Sequence, residues 1–348
     1  MAKTATQRIY PMKKPANHAP VIQRYSSRVD ESVSKIRVAT LGLQSEADMD
    51  ETLQAFQRVM GEVFARAGRP AHHDMASFVD PQGHNTVMVV CYWLNEELFA
   101  AWSKAFDLWW DAQSPARLDF GLWFESFAVT PPYRETNLFQ EYIRGVSACP
   151  MTKIAPMNES GYWGAARDRF TASAYDDFCP AHSVELAYDG ARDTLGKHIK
   201  VSDIPSDLCV IRSGVTWENC GAEQLESYET NLKPKLDLGM TFLRENPVET
   251  GCCSLRQVTC LDAGGVAQKD AYSLGVFLSY GHLERWAHDH PTHLAIYTRA
   301  LAERKKYQEN LELLTYHEIY VLNDDLRFEY LNCHSGTGLL PYFTNTAA

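Results

Sequence analysis

Residues 71 to 93 read AHHDMASFVDPQGHNTVMVVCYW. Two strand-like runs, AHHDMASFVD and NTVMVVCYW, flank PQGHN, a cluster of turn residues, so the stretch predicts two antiparallel strands joined by a tight turn. Working outward, IRVATLGL (36 to 43) reads as a strand. A helix over about 50 to 66 follows it, with Leu53, Phe56, Val59 and Val63 at helical spacing. Beyond the hairpin, a Trp-rich helix over about 95 to 110 leads into a strand, GLWFESFAV (121 to 129). The order is β-α-β-β-α-β.

The same order recurs later in the chain. DLCVIRS is a strand, a long helix spans about 221 to 244, and CSLRQVTCL and YSLGVFLSY are strands. A helix from about 282 to 305 and the strand LLTYHEIYVL complete the set. Each half is therefore a split βαβ unit, and a sheet covered by helices on one face leaves its other face bare. Two such sheets packed face to face give an α+β fold: a pseudo-dimeric α+β barrel of two ferredoxin-like βαββαβ repeats. Ligand space would lie between sheet and helices or inside the barrel. This divides the chain into an arm (1–35), a first repeat (36–130), a connecting segment (131–206) and a second repeat (207–343). The connection, rich in Pro, Gly and Asp, reads as irregular structure long enough to carry functional residues.

With 45% hydrophobic and 11% aromatic residues, the 348-residue chain has ample material for buried cores. A net charge of -11 and the lack of a long basic run exclude a nucleic-acid surface and favour a small neutral or cationic ligand. No window approaches 18 uninterrupted apolar residues and the first 30 lack a signal-peptide core, so no membrane span is expected. The arm carries Lys3, Arg8, Lys13, Lys14, Arg24 and Arg28 before the first acid, Asp30. That composition occurs in transit peptides, although an arm draped over the domain is the preferred reading. Nine cysteines without a CxxC or CxxCH spacing suit reduced thiols in a cytoplasm.

HDHPTHLAIY (288 to 297) is the most metal-like feature. Pro291 disfavours helical geometry at His290 and suits a first helical turn, so the helix bends or restarts there. His293 then shares a face with Ile296, Tyr297 and Ala300. It is either a ligand pointing into a pocket or a buried histidine bonded to backbone. A zinc site from His288, His290 and His293 would subtend too wide an angle on an unbroken helix, with no nearby Cys or Glu to complete it. In LLTYHEIYVL, alternation places Thr315, His317 and Ile319 on one face and Glu318 on the other. An ionisable group on an apolar face must be neutral, paired or functional. Ser213 ends a strand in the same half and is either its neighbour or a turn residue. Taken alone, Arg167, Arg169 and Glu135 are unremarkable surface candidates.

Together these stretches resemble the aldoxime dehydratases, also called phenylacetaldoxime dehydratases, haem b enzymes that convert aldoximes to nitriles. The matching elements, over about residues 36 to 343, are PAHHD, YRETNLF, GYWGAARDR, IRSGVTW, GHLERWAHDHPTHLAIY, YHEIYVL and EYLNCHSGTGLLP. The resemblance implies His293 as proximal haem ligand, His317 as distal catalytic histidine, Ser213 as partner of the oxime hydroxyl, and Arg169 and Glu135 as supports of His317. It also implies a homodimer and substrate bound through nitrogen to ferrous haem. A charged segment, LAERKKYQEN, makes the spacing from His293 to His317 longer than in some members. Rival expectations are a peroxidase-like haem enzyme, since a distal His with an Arg also splits O–O bonds, and a non-enzymatic haem carrier or sensor.

Overall fold

The structure, a computed structural model, describes residues 8–65, 67–180, 185–188, 192–343 and 345–347; Lys3 of the basic arm lies outside them. In chain order the elements are β1 (Arg24–Val29), β2 (Ile36–Ser45), α1 (Met49–Phe64), β3 (His72–Val79), β4 (Asn85–Trp93), α2 (Glu96–Asp111) and β5 (Gly121–Val129). The connection holds β6 (Arg134–Asn137), β7 (Thr152–Met157), α3 (Ala165–Arg169) and β8 (His198–Val201). There follow β9 (Cys209–Thr216), α4 (Ala222–Ser227), α5 (Lys233–Glu245), α6 (Pro247–Thr250), β10 (Cys252–Leu261) and β11 (Ala267–Phe277). The chain continues through α7 (Tyr280–Asp289), α8 (Pro291–Tyr307), β12 (Leu314–Val321), β13 (Asp324–Leu331) and β14 (Asn345–Ala347).

Twelve strands form one antiparallel sheet in the order β14-β8-β13-β5-β2-β4-β3-β10-β11-β9-β12-β6. Within it, β5-β2-β4-β3 and β10-β11-β9-β12 place the four strands of each half in the same order read from opposite ends, joined where β3 pairs with β10. The protein is thus α+β, built on one long sheet that continues from the first half into the second.

Alternation along the strands sorts side chains to two faces. On one face, residues of the first half meet residues of the second. Arg256 makes a bidentate ion pair with Glu125 (both bonds 2.7 Å), and Arg212 pairs with Asp74 at 2.6 Å. Arg212 also donates to the Tyr92 hydroxyl (2.9 Å), and that hydroxyl donates to Glu318. Buried charges of this kind persist only when paired and hydrogen-bonded. On the other face, α1 and α2 pack Phe56, Val63, Trp102 and Phe106 over the first half, while Met240, Leu243 and Trp286 from α5 and α7 cover the second.

Three local features depart from the simplest reading of the periodicity. Leu53 is only partly buried, and Thr52 takes the inner position of α1 with its hydroxyl bonded to the Asp48 carbonyl (2.7 Å). The expected helix over about 221 to 244 is divided by a wider turn at Tyr228–Leu232, immediately before Pro234, which has no N–H for the helical ladder. The helix over 282 to 305 breaks at His290, whose backbone is extended (φ -82, ψ 131), as Pro291 requires. After β12 the chain crosses back, and β13 pairs with β5 of the first half. The arm lies on the connection: β1 pairs with β7, and the Lys13 N–H donates to Asp168 (3.0 and 2.9 Å). Among the described residues, no helix is long and apolar enough to cross a membrane.

Candidate active site

Between the second-half strands and α5, α7 and α8 lies a cavity of about 890 Å³. Its floor comes from β9 and β12, whose register sets His317 opposite Ser213. Both side chains face the cavity, and the next residue in each case, Glu318 and Arg212, faces the buried ionic network instead. On the far side of β12, β6 sets Glu135 opposite Ile319 and Asn137 opposite His317. Hence one face of three adjacent strands carries Ser213, His317, Asn137 and Glu135.

Arg169 reaches this group from outside the sheet. Gly164, at φ +88, makes the left-handed turn that starts α3, a conformation a side chain resists. One turn later, Arg169 donates through Nε to Glu135 Oε2 (2.6 Å) and through Nη2 to Oε1 (3.2 Å). Its Nη1 donates to the Glu159 carbonyl (2.7 Å). His317 Nε2 lies 2.9 Å from Glu135 Oε1 and 2.7 Å from Arg169 Nη2. Burial works to raise the Glu135 pKa, but Arg169 and His317 hold it at about 2, so the group is a carboxylate. Nε2 thus faces an acceptor, Glu135, and an obligate donor, Arg169; in the imidazolium form its N–H is directed to the carboxylate. Nδ1 is left without a hydrogen-bond partner among the described residues. Burial pushes the His317 pKa below the ordinary histidine value, with Glu135 opposing and Arg169 adding to the fall. The arrangement is a histidine oriented from behind by an ion pair, with one nitrogen free for proton transfer and a hydroxyl beside it.

The three clustered histidines part company at the helix break. His288 is exposed beside Asp289, and its ring meets Trp163 edge-on. His290 caps α8, with Nδ1 accepting from the Thr292 N–H (3.3 Å), and its ring stacks on Phe242 at 4.0 Å. His293 lines the cavity roof, packed edge-on against Trp286 at 4.8 Å. They do not converge: the one cluster of potential metal-ligand atoms among the described residues is Asp80, His84 and His334, elsewhere in the fold. Gly239 of α5 fixes this corner, since a Cβ there would stand 2.8 Å from the end of Ile296.

Burial lowers the His293 pKa to about 4, against an opposing pull from the Ala287 carbonyl that closes no hydrogen bond to Nδ1. The imidazole is therefore neutral near pH 7, as an iron ligand must be. A neutral histidine with its buried Nδ1 unsatisfied, set in an apolar roof facing a polar distal group, fits an axial haem ligand. Two neighbours of the site, Asn137 and Arg24, escape sequence reasoning. Alternation in RETN offers a signal for Asn137, which shares the Glu135 face. Arg24, whose Nε donates to Asn137 Oδ1 (2.6 Å), lies 113 residues away in the arm, where nothing local marks it.

Residues 39–339 match the model of the haem-containing dehydratase family. The chain is 33% identical to a phenylacetaldoxime dehydratase of Bacillus sp. (strain OxB-1), over 95% of each chain. It is also 33% identical to an aliphatic aldoxime dehydratase of Rhodococcus erythropolis, over 97% of this chain and 94% of that one. A solved aldoxime dehydratase in complex with butyraldoxime superposes with a TM-score of 0.85 at 30% identity, covering 96% of this chain and 93% of that one. A match of this extent and identity places the chain in the haem-containing dehydratase family.

Proposed function

We propose that the protein dehydrates aldoximes, R–CH=N–OH, to nitriles and water, using haem b held by His293. The observation that carries this reading is the His317–Glu135–Arg169 group with Ser213 beside it, facing His293 across the cavity. Haem b, held by His293, would supply an electron-rich ferrous iron to bind the oxime nitrogen and weaken the N–O bond, with no net redox change. Ser213 holds the oxime hydroxyl. His317, in its imidazolium form, gives a proton from Nδ1 to the departing hydroxyl, which leaves as water. The now neutral Nδ1 takes the proton from the oxime carbon, completing the C≡N bond and restoring the acid. Glu135 keeps the proton on Nε2 and so keeps Nδ1 aimed at the substrate, as Arg169 does for Glu135.

A peroxidase or a haem carrier needs no hydroxyl set beside the distal histidine, and Ser213 therefore favours the oxime. We read the repeated strand order and the ion pairs between halves as a pseudo-dimeric α+β barrel of two ferredoxin-like repeats (36–130 and 207–343), with 1–35 an arm and 131–206 a site-bearing connection. Nine free cysteines suit a cytoplasmic enzyme, and a homodimer is the proposed assembly.

Anaerobic reduction with dithionite, followed by phenylacetaldoxime, is expected to give nitrile in proportion to the ferrous fraction measured in the same cuvette. Equal turnover by ferric protein, or peroxide-dependent dye oxidation with no nitrile, would count against the assignment. A pH profile tests the acid. Because the His317 pKa lies below the ordinary histidine value, the donating form grows as pH falls, so kcat/KM should rise from pH 8 towards pH 6. Glu135→Gln removes an influence that raises that pKa and should move the profile further to acid. A shift to alkaline pH would contradict the assigned role of Glu135.

A further inference from the structure

Six cationic side chains line the cavity: Lys13, Arg24, Arg167, Arg169, Arg285 and Arg304. Two are committed to carboxylates, Arg167 to Glu284 and Arg169 to Glu135. Lys13 and Arg285 stand exposed at the rim, where water solvates them. Arg24 and Arg304 differ from all of these. Arg24 is 2% exposed, and its only polar partners among the described residues are the Asn137 side chain and the Thr315 carbonyl. Its Nη1 is buried with no hydrogen bond. Arg304 enters from the last turns of α8, where Nη2 donates to the Thr315 hydroxyl at 3.3 Å. Both guanidiniums therefore meet at one residue, Thr315, two positions from His317 on the same face of β12.

Among the described residues, no carboxylate offsets either charge. Burial lowers the pKa of each arginine, and Arg304 lowers that of Arg24 further by like-charge repulsion. Arg24 is fully buried and Arg304 half-buried beside it, and two partly desolvated cations are unfavourable unless an anion joins them. An arginine fork is also the side chain best matched to a carboxylate. We propose that Arg24 and Arg304 form the carboxylate site that anchors the propionate edge of the haem, an inference that rests on the haem reading given above.

The layout of α8 supports the propionate over a carboxylate on the substrate. His293, Ile296, Tyr297, Ala300 and Arg304 form one stripe along the helix, all lining the cavity. Arg304 follows His293 by eleven residues, about 16 Å along the axis, and helical side chains lean back towards the N-terminus. One helix thus offers an axial ligand at one end of the cavity, an apolar strip beside it and a cation at the other end. That is the order of features on a haem read from iron to carboxylate. The charged segment LAERKKYQEN supplies Arg304.

The test compares haem b with its dimethyl ester, which lacks the two negative charges, in the reconstituted full-length protein. Haem loss to excess apoglobin is followed by the Soret band. Arg24→Gln and Arg304→Gln should each release haem b roughly ten-fold faster or more than the parent, with the lysine variants between. With the ester, parent and variants should lose haem at similar rates. In the haem-free state the same glutamine variants should melt at higher temperature than the parent, because an unpaired buried charge has gone; a purely structural role would give the opposite sign. Equal release of haem b and ester by the parent, or parent-like haem b release by both variants, would overturn the proposal. Parent-like haem release together with a raised KM only for 4-carboxybenzaldoxime would assign the pair to substrate instead. Failure of the parent to take up haem at all would refute the haem reading itself, so the two failures are distinguishable.

Discussion

His317→Ala should retain haem, with an unchanged Soret band, and lose turnover by several powers of ten. A single general acid or base contributes typically on the order of 10²- to 10⁴-fold, and here one nitrogen serves in both steps. The substitution leaves the Glu135–Arg169 ion pair in place, since Arg169 makes two bonds to that carboxylate without the histidine. Oxime binding, read as a spectral shift on titration, should therefore survive. Retained turnover would move proton transfer to another group, and Arg169 is a poor substitute because a guanidinium scarcely gives up its proton. Glu135→Ala is expected to behave differently: it strands the buried Arg169 guanidinium beside His317 and should cost stability on the order of 3 to 5 kcal/mol as well as rate.

The second large effect is expected at the roof. His293→Ala, expressed with haem supply, should purify without a Soret band, while His288→Ala and His290→Ala should purify with one. His288 is exposed and His290 serves as the α8 cap, so losing the latter costs stability on the order of 1 kcal/mol rather than cofactor. Added imidazole should restore haem uptake to His293→Ala by occupying the vacated volume, and failure of rescue would point to a collapsed roof. Equal haem loss from all three variants would show that the cluster acts as a unit.

Much of this architecture is legible in the chain. Short-range periodicity marks the β-α-β-β-α-β order, and period-two alternation in TYHEIYV separates His317 from Glu318. Pro291 announces the break that carries His293 away from His288. What the sequence withholds is long-range. Arg169 and Glu135 are 34 positions apart in the connecting segment, and only the β6–β12 register brings the acid to the histidine. β13 lies beyond the second β-α-β-β-α-β run, and nothing local says that it pairs with β5 of the first half. Arg24 reaches its partner Thr315 across 291 positions, a contact that depends on how the arm is laid down. Patterning reports which face a residue takes; it does not report which distant residue waits there.

The ionic network behind the floor has a consequence for altering substrate range. Arg212 and Glu318 are the immediate chain neighbours of Ser213 and His317, and Tyr92 ties the two together from β4. Any floor substitution that shifts β9 against β12 therefore drags buried charges out of register, so the floor should tolerate little variation in a mutant library. The roof is less constrained: Leu236, Met240 and Ile296 reach the cavity from helices where the partly buried ion pair Arg299–Glu303 lies within α8 itself and ties no two strands together. Variants that accept bulkier or slimmer aldoximes should accumulate on α5 and α8, leaving the strands untouched.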